Sequence, residues 1–174
     1  SGGEANSIAI RIARASSGKD GVAFCGYHGW HDWYLSANLL SGDALDKHHL
    51  SGLDMAGVPK QLKGTSFPFT YNNLEELKAI IDTQDIGVIK MEVMRSDEPQ
   101  NDFLLEVRKL ATQKNIVLIF DECTSGFRKT FGGLHKYFDV SPDIAMFGKT
   151  LGNGYAITSV IGTREVMESA QKSF

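Results

Sequence analysis

Apolar residues along this chain recur alternately at helical and at strand-like spacings. Between Ala5 and Ala13 they fall at i, i+3 and i+4, which is typical of one buried helix face. Other apolar runs are short and nearly continuous, as in strands that are covered on both faces. The pattern predicts helices over 4–15, from Leu74 after a capping Asn73, over 102–114, and from Thr163 to about 169, and strands over 22–25, 86–92, 116–120, 144–147 and 158–161.

Strands that alternate with helices favour an α/β fold with a largely parallel sheet and flanking helices. Residues 26–70 contain scattered glycines and histidines without a clear period, so no element is predicted there. The sequence has no internal repeat, low-complexity tract or linker. We therefore predict one domain over residues 1–174.

Composition excludes some classes of protein. The 174 residues are 42% hydrophobic and 22% charged, which is ordinary for a globular protein, and the net charge of −3 gives no support for a nucleic-acid partner. No apolar run reaches the roughly 20 residues of a membrane helix, and the N-terminus does not resemble a signal peptide. Cys25 and Cys123 fit no metal spacing and are expected to be free thiols in a reducing cytoplasm. The missing initiator Met suggests a chain that starts within a longer protein.

Two predicted strands end beside an acid and an amine. Asp121 follows the run 116–120 directly, and Lys149 lies two residues after the run 144–147, at the start of a glycine-rich loop. Strand ends of open α/β sheets meet at the edge where ligands bind. A lone amine there can form a Schiff base with an aldehyde, and a carboxylate can hold a protonated ring nitrogen. Together the two residues suggest pyridoxal phosphate.

Each of these two residues also has a structural interpretation. Asp121 could cap the turn that follows it. Lys149 could be a surface lysine whose stem packs while its amine reaches water. A lysine is seldom left at a buried strand end without a function, which favours the cofactor interpretation.

Weaker signals lie at other predicted element ends. Gly2 and Gly3 lead into the first helix, whose free N–H groups suit a phosphate, although such a pair is more often a plain turn. Tyr27, which follows a predicted strand, could stack on a planar ring or pack in an aromatic cluster. Glu92 ends the run 86–91 and could line the pocket or be an ordinary surface acid.

A metal site is the rival interpretation of the aromatic segment 26–33. His28, His31 and Asp32 would be its ligands. Histidines at i, i+3 share a face only on a helix, and Gly29 lies between them. We therefore predict no metal site.

Four sequence blocks together resemble the class III pyridoxal-phosphate aminotransferases of fold-type I. The chain looks most similar to the branch that contains glutamate-1-semialdehyde aminomutase. The blocks follow the family's order and approximate spacing across almost the whole chain, and they are Ser1-Gly2-Gly3-Glu4-Ala5, Tyr27-His28-Gly29, residues 121–128 and residues 148–154.

The resemblance implies a role for each matching position that surrounds the cofactor. Gly2 and Gly3 would donate backbone N–H groups to its phosphate. Tyr27 and Cys123 would pack on opposite faces of its ring. Asp121 would bind the ring nitrogen.

The resemblance also implies that Lys149 forms the Schiff base and then moves the proton between substrate and cofactor. His28, Glu92 and Thr124 would be further cofactor-binding positions. Gly3 stands where the family usually has a hydroxyl residue, and Thr124 replaces a longer residue. Both departures leave the fine contacts open.

The implied activity is transfer of an amino group from a small-molecule amino donor to a carbonyl acceptor. A glutamate-1-semialdehyde-type aminomutase, which would be an isomerase, is the alternative enzyme. A non-catalytic module that keeps the fold is an alternative of another class. Family members are more than twice this length, so the resemblance implies a large-domain core truncated at both ends, and a homodimer in the full-length protein.

Overall fold

The computed structural model of the chain describes residues 1–46 and 51–173. One sheet runs through the described residues. Its six strands are β1 (Gly21–Cys25), β2 (Ser66–Pro68), β3 (Ile86–Glu92), β4 (Val117–Asp121), β5 (Ile144–Phe147) and β6 (Ser159–Gly162).

The strands lie in the order β2-β1-β3-β4-β5-β6. All neighbours pair in parallel except β5 and β6, which are antiparallel. The chain passes from β1 outward to β2 and then returns past β1 to β3, so the direction of the strand order reverses at β1. Open α/β sheets bind ligands beyond the carboxyl ends of the strands near such a reversal.

Helices cover both faces of the sheet. They are α1 (Gly2–Ser17), α2 (Asp32–Leu35), α3 (Asn38–Ser41), α4 (Leu74–Thr83), α5 (Phe103–Gln113) and α6 (Arg164–Glu168), and short 3-10 turns are found at Lys60–Leu62, Leu134–Phe138, Lys149–Leu151 and Ser169–Lys172.

The core has two main apolar layers because alternate strand residues point to opposite faces. In β3, Ile89 packs on the side of α4 and α5, whereas Val88 packs on the side of α1. Every residue of β1, β3, β4 and β5 is buried. This double coverage explains why these strands are nearly continuous apolar runs.

The local signals at the start of α1 fix where that helix begins. Ser1 is its N-cap, and Ser1 and Glu4 form a reciprocal capping box. Gly18 ends the helix in a left-handed conformation with φ 70°. The sequence predicted that this helix begins at residue 4, after the two glycines. Instead, Gly2 and Gly3 form the first turn of α1.

The predicted α/β fold with a largely parallel sheet is confirmed. The strands predicted at 86–92 and 144–147 have those limits, and Asn73 caps α4 by accepting from the N–H of Glu76. The strand predicted at 116–120 is shifted by one residue, so Asp121 belongs to it.

The segment for which no element was predicted, 26–70, contains β2, α2 and α3. Part of that segment, 47–50, lies outside the described residues. Within the described ranges, no helix has the length and apolar character that crossing a bilayer requires.

Candidate functional site

The carboxyl ends of the central strands meet the first turn of α1. A Cβ placed on Gly29, in the loop after β1, would lie 3.2 Å from Gly3 Cα, and a Cβ on Gly2 would lie 3.5 Å from Cys123 Sγ. On the other side of Cys123, a Cβ on Gly148 would lie 2.9 Å from the same sulfur atom. Loops after β1, β4 and β5 therefore converge on the start of α1, and glycines allow the close approach.

Asp121 lies at the centre of this arrangement, at the buried end of β4. Its Oδ2 is 2.8 Å from His28 Nδ1, and its Oδ1 accepts from the backbone N–H of Cys123 at 3.0 Å. The structural interpretation of Asp121 therefore describes one of its oxygens, because Oδ1 caps the turn, whereas Oδ2 faces His28.

The charge on Asp121 follows from these contacts. Burial alone would raise the pKa of Asp121, but the Lys90 ammonium and the hydrogen bond from His28 hold it well below its usual range. The carboxylate is therefore ionised at neutral pH. A buried anion at a strand end is suited to a cationic ring N–H.

Lys149 begins the 3-10 turn after β5, with a positive φ of 44°. Its Nζ donates to Thr124 Oγ1 at 2.8 Å. The sequence analysis treated Lys149 as a lysine at a buried strand end, and this was wrong because the residue is exposed. Because Thr124 lies three residues after Asp121, the Lys149 amine contacts the turn that follows this carboxylate.

Glu92, at the end of β3, is buried, so it is not an ordinary surface acid. Its Oε2 accepts from the backbone N–H of Tyr27 at 3.3 Å, and Arg95 Nη1 lies 3.3 Å from both of its oxygens. Glu92 therefore positions the loop that carries Tyr27. The Tyr27 ring is half-buried and meets Tyr34 edge-to-face at 5.9 Å.

Two buried side chains complete the surroundings of the site. Burial, followed by the charge of Asp121, raises the pKa of the Cys123 thiol to about 12, so it presents a neutral surface. His28 has both ring nitrogens engaged, because Nε2 lies 3.0 Å from Cys25 O. A metal ligand needs a free ring nitrogen, so the contacts of His28 disfavour the rival metal site with His31.

The structure thus pairs several of the sequence-predicted residues near the carboxyl ends of the strands. Hydrogen bonds or close polar contacts join Asp121 to His28, Lys149 to Thr124, and Tyr27 to Glu92, and a Cβ on Gly2 would lie next to Cys123. The sequence analysis missed Lys90, which is fully buried in β3 and lies 3.8 Å from Asp121 Oδ2. The signal was available, since Lys90 interrupts an apolar run.

The donor set fits pyridoxal 5′-phosphate. The first N–H groups of a helix have no acceptor within it, so those of Gly2 and Gly3 are available to a phosphate. A Cβ at Gly29 would crowd Gly3, and one at Gly148 would crowd Cys123, so side chains at these two positions would press on the residues around the site. Asp121 supplies a buried anion, and Lys149 supplies an amine whose hydrogen bond, within residues 1–46 and 51–173, is to the Thr124 hydroxyl.

Comparison with known proteins agrees with this chemistry. The family model described as aminotransferase class-III matches residues 1–173. The chain is 38% identical over 175 residues to a 3-aminobutyryl-CoA aminotransferase of Cloacimonas acidaminovorans, covering 96% of this chain and 38% of that protein. It is also 38% identical over 174 residues to a glutamate-1-semialdehyde 2,1-aminomutase of Nitrosopumilus maritimus, covering 96% of this chain and 40% of that one.

Solved structures show the same fold. FumI of Sphingopyxis sp. MTA144, in its PLP internal aldimine form, superimposes with a TM-score of 0.83 at 22% identity, over 100% of this chain and 40% of that one. An omega-transaminase from Sphaerobacter thermophilus gives a TM-score of 0.77 at 27% identity, over 96% and 40%. The chain therefore spans about two fifths of the length of the relatives it matches.

Proposed function

Because the chain belongs to the class III aminotransferase family, whose cofactor is pyridoxal 5′-phosphate, we propose that it forms the cofactor-binding core of an aminotransferase. The substrates are a small-molecule amino donor and a carbonyl acceptor. The observation that carries the proposal is the buried, ionised Asp121 at the end of β4, with Lys149 beside the turn that follows it.

When it is bound, the cofactor supplies an electron-withdrawing ring that stabilises negative charge on the substrate carbon. Asp121 would bind the protonated ring nitrogen, and His28 contacts the same carboxylate. Cys123 would offer a neutral surface to one ring face, and Tyr27 would cover the other. The first turn of α1, with Gly2 and Gly3, would bind the phosphate.

Lys149 has two tasks in this proposal. Its Nζ would hold the cofactor's aldehyde through a covalent bond, and as a base it would move the proton at the substrate carbon. Thr124 Oγ1 accepts a hydrogen bond from this amine at 2.8 Å. Glu92 acts on the site through the backbone of Tyr27 and the guanidinium of Arg95.

We further propose that residues 1–174 belong to a longer enzyme, since the chain spans about two fifths of its relatives. In that enzyme, a homodimer would complete the site. Two free, buried cysteines suit a reducing cytoplasm, which supports a cytoplasmic location.

An aminomutase is the second candidate, because the relatives include glutamate-1-semialdehyde 2,1-aminomutases at up to 38% identity. A mutase moves the amino group within one molecule and needs no separate amino donor. Turnover of a single amino-aldehyde in a donor-free assay would support the mutase, whereas strict dependence on a second amine supports the transferase.

The test of the proposed function is substitution of Lys149 by Ala in the full-length protein. Wild type mixed with pyridoxal phosphate should form a yellow adduct that borohydride fixes to the peptide containing Lys149, and the variant should form none there. Lys172→Ala, which removes a lysine from the 3-10 turn Ser169–Lys172, is the matched control. Normal adduct formation by the Lys149 variant would contradict the assignment, and absence of binding by wild type at millimolar cofactor would favour a non-catalytic module.

A further inference from the structure

Lys90 is a fully buried lysine in the centre of the sheet, and the roles proposed for the site do not use it. It lies in β3 between β1 and β4, and it shares the face of Val88, which packs on the side of α1. A strand interior in this position needs only an apolar side chain to pack well. A lysine is rarely fully buried unless it is paired.

The surroundings of the Lys90 amine provide little compensation for its burial. Within the described residues, its one hydrogen bond goes to Met146 Sδ at 3.3 Å, and a thioether is a weak acceptor. Its one ion pair is with Asp121, whose Oδ2 lies 3.8 Å from Nζ. Of the two contacts, only the carboxylate can offset the cost of a buried ammonium.

The two groups influence each other's ionisation. Burial lowers the pKa of Lys90, and the charge of Asp121 opposes that effect. Burial also acts against the charged form of Asp121, and Lys90 is the largest influence that lowers its pKa. Asp121 is likewise the largest influence that favours the Lys90 ammonium, so each group stabilises the charged form of the other.

Few other titratable groups face this pair in the described part of the chain. They are Glu92 on β3, His28 in the loop after β1, and Cys123 in the turn after β4. His28 Nδ1 and Lys90 Nζ both lie near Oδ2 of Asp121, so two side chains of the protein interact with this carboxylate oxygen.

We propose that Lys90 is a positioning residue for the cofactor site, whose buried ammonium keeps Asp121 ionised and oriented before the ring nitrogen arrives. The inference rests on the proposed function of the site. Lys90 acts only through Asp121. It makes the anion available without a proton transfer during binding, which is a form of preorganisation.

The test compares Lys90→Met with wild type in the full-length protein. Methionine has nearly the length of lysine and removes only the charge and the N–H groups. Dissociation constants are measured between pH 5 and 9 for pyridoxal phosphate and for its 1-deaza analogue, in which a CH group replaces the ring nitrogen. The ratio of the two constants reports how well Asp121 recognises that nitrogen, and comparison with wild type at each pH cancels the titration of the free cofactor.

The wild-type ratio is the reference over this range because Asp121 stays ionised. In Lys90→Met the carboxylate loses the largest influence that lowers its pKa, while burial, which raises it, remains, so the pKa of Asp121 is expected to rise into the pH range of the titration. The ratio should therefore fall relative to wild type by about tenfold or more at the acidic end, and recover toward pH 9. Asp121→Asn should abolish discrimination at every pH.

Ile89→Met is the matched control, because Ile89 is also fully buried, precedes Lys90 in β3, and packs on the opposite face. A purely structural role for Lys90 would change both dissociation constants equally and leave their ratio as in wild type. A pH-independent ratio in Lys90→Met, or the same change in Ile89→Met, would overturn the inference. Absence of any cofactor binding in wild type would instead refute the proposed function.

A measurement on the wild-type protein covers the case in which Lys90→Met does not fold. In cofactor-free protein with ¹³C-labelled aspartate and ¹⁵N-labelled lysine, the Asp121 signal should be that of a carboxylate down to pH 5. The Lys90 signal should be that of an ammonium at pH 7. A neutral Lys90 amine at pH 7, or a protonated Asp121 at pH 5, would show that the ion pair does not exist.

Discussion

Substitution of Glu122 by Ala tests how the turn after β4 is held in place. Glu122 is fully buried next to Asp121. One carboxylate oxygen accepts from the backbone N–H of His135 at 2.9 Å and lies 2.8 Å from His135 Nδ1, and the other accepts from the Ser125 hydroxyl. The carboxylate thereby fastens the loop that carries Thr124 to the 3-10 turn Leu134–Phe138.

The expected loss follows from these three hydrogen bonds. A hydrogen bond to a charged group contributes about 1.5–3 kcal/mol, and removal of one partner from a buried charged network typically costs about 3–5 kcal/mol. Part of this loss is offset, because the variant has no carboxylate to bury and water can enter the vacated space. We therefore expect the free energy of unfolding to fall by about 3 kcal/mol at pH 7.

Urea denaturation followed by circular dichroism measures this difference. The matched control is Glu106→Ala, which removes an exposed carboxylate paired with Lys109 on α5, and which should cost less than about 1 kcal/mol. A loss in Glu122→Ala no larger than that of the control would refute the reasoning, because the buried carboxylate would then not be holding the loop.

The pH dependence provides a second check on Glu122. Burial alone would raise the pKa of Glu122, but the hydrogen bonds from His135 and Ser125 lower it below its usual value. A lowered pKa stabilises the folded state above the ordinary glutamate value of about 4.3. The difference between wild type and Glu122→Ala should therefore be constant near neutrality and shrink as the pH falls through the folded value.

Two further predictions concern the close-packed loop and the thiols. Gly29→Ala should lower the free energy of unfolding by about 1–3 kcal/mol, because φ is +96° and the new Cβ would lie 3.2 Å from Gly3 Cα. Gly57→Ala, with φ +86° and open space around it, should show the cost of the backbone strain alone. Equal losses of unfolding free energy in the two variants, measured by urea denaturation, would argue against crowding at Gly29. At pH 8.5 a disulfide reagent should modify the two thiols at least about a hundredfold more slowly in the native protein than in the unfolded protein. The reason is that burial raises the pKa of Cys123 to about 12 and raises the pKa of Cys25 as well. Equal rates would show that the thiols are accessible.

The sequence predicted the central strands well because these strands are covered on both faces. A continuous apolar run is stable only where both faces of the strand are buried, so the predicted limits of β3 and β5 were correct to the residue. β2 was missed because it has only three residues, Ser66–Pro68, and its position depends on pairing with β1 rather than on its own composition. Such tertiary pairing leaves little trace in a local pattern.

The candidate site was predictable where a polar residue follows a strand, as at Asp121 and Glu92. Lys90 was not identified, because it lies inside β3 rather than at the end of a strand. The partnership of His28 with Asp121 was also beyond the sequence, because 93 positions separate the two residues and only the pairing of β1, β3 and β4 brings them together.

The hydroxyl that holds Lys149 has a consequence for how the amine can react. A carboxylate in the place of Thr124 Oγ1 would keep the nitrogen as a cation, and a cationic nitrogen has no lone pair with which to attack a carbonyl carbon. Among the described residues, the one hydrogen-bond partner of the Lys149 amine is this neutral acceptor at 2.8 Å, which fixes the direction of the side chain without an ion pair. The interaction is also weak enough to break and re-form as the nitrogen swings between its resting position and a reacting partner.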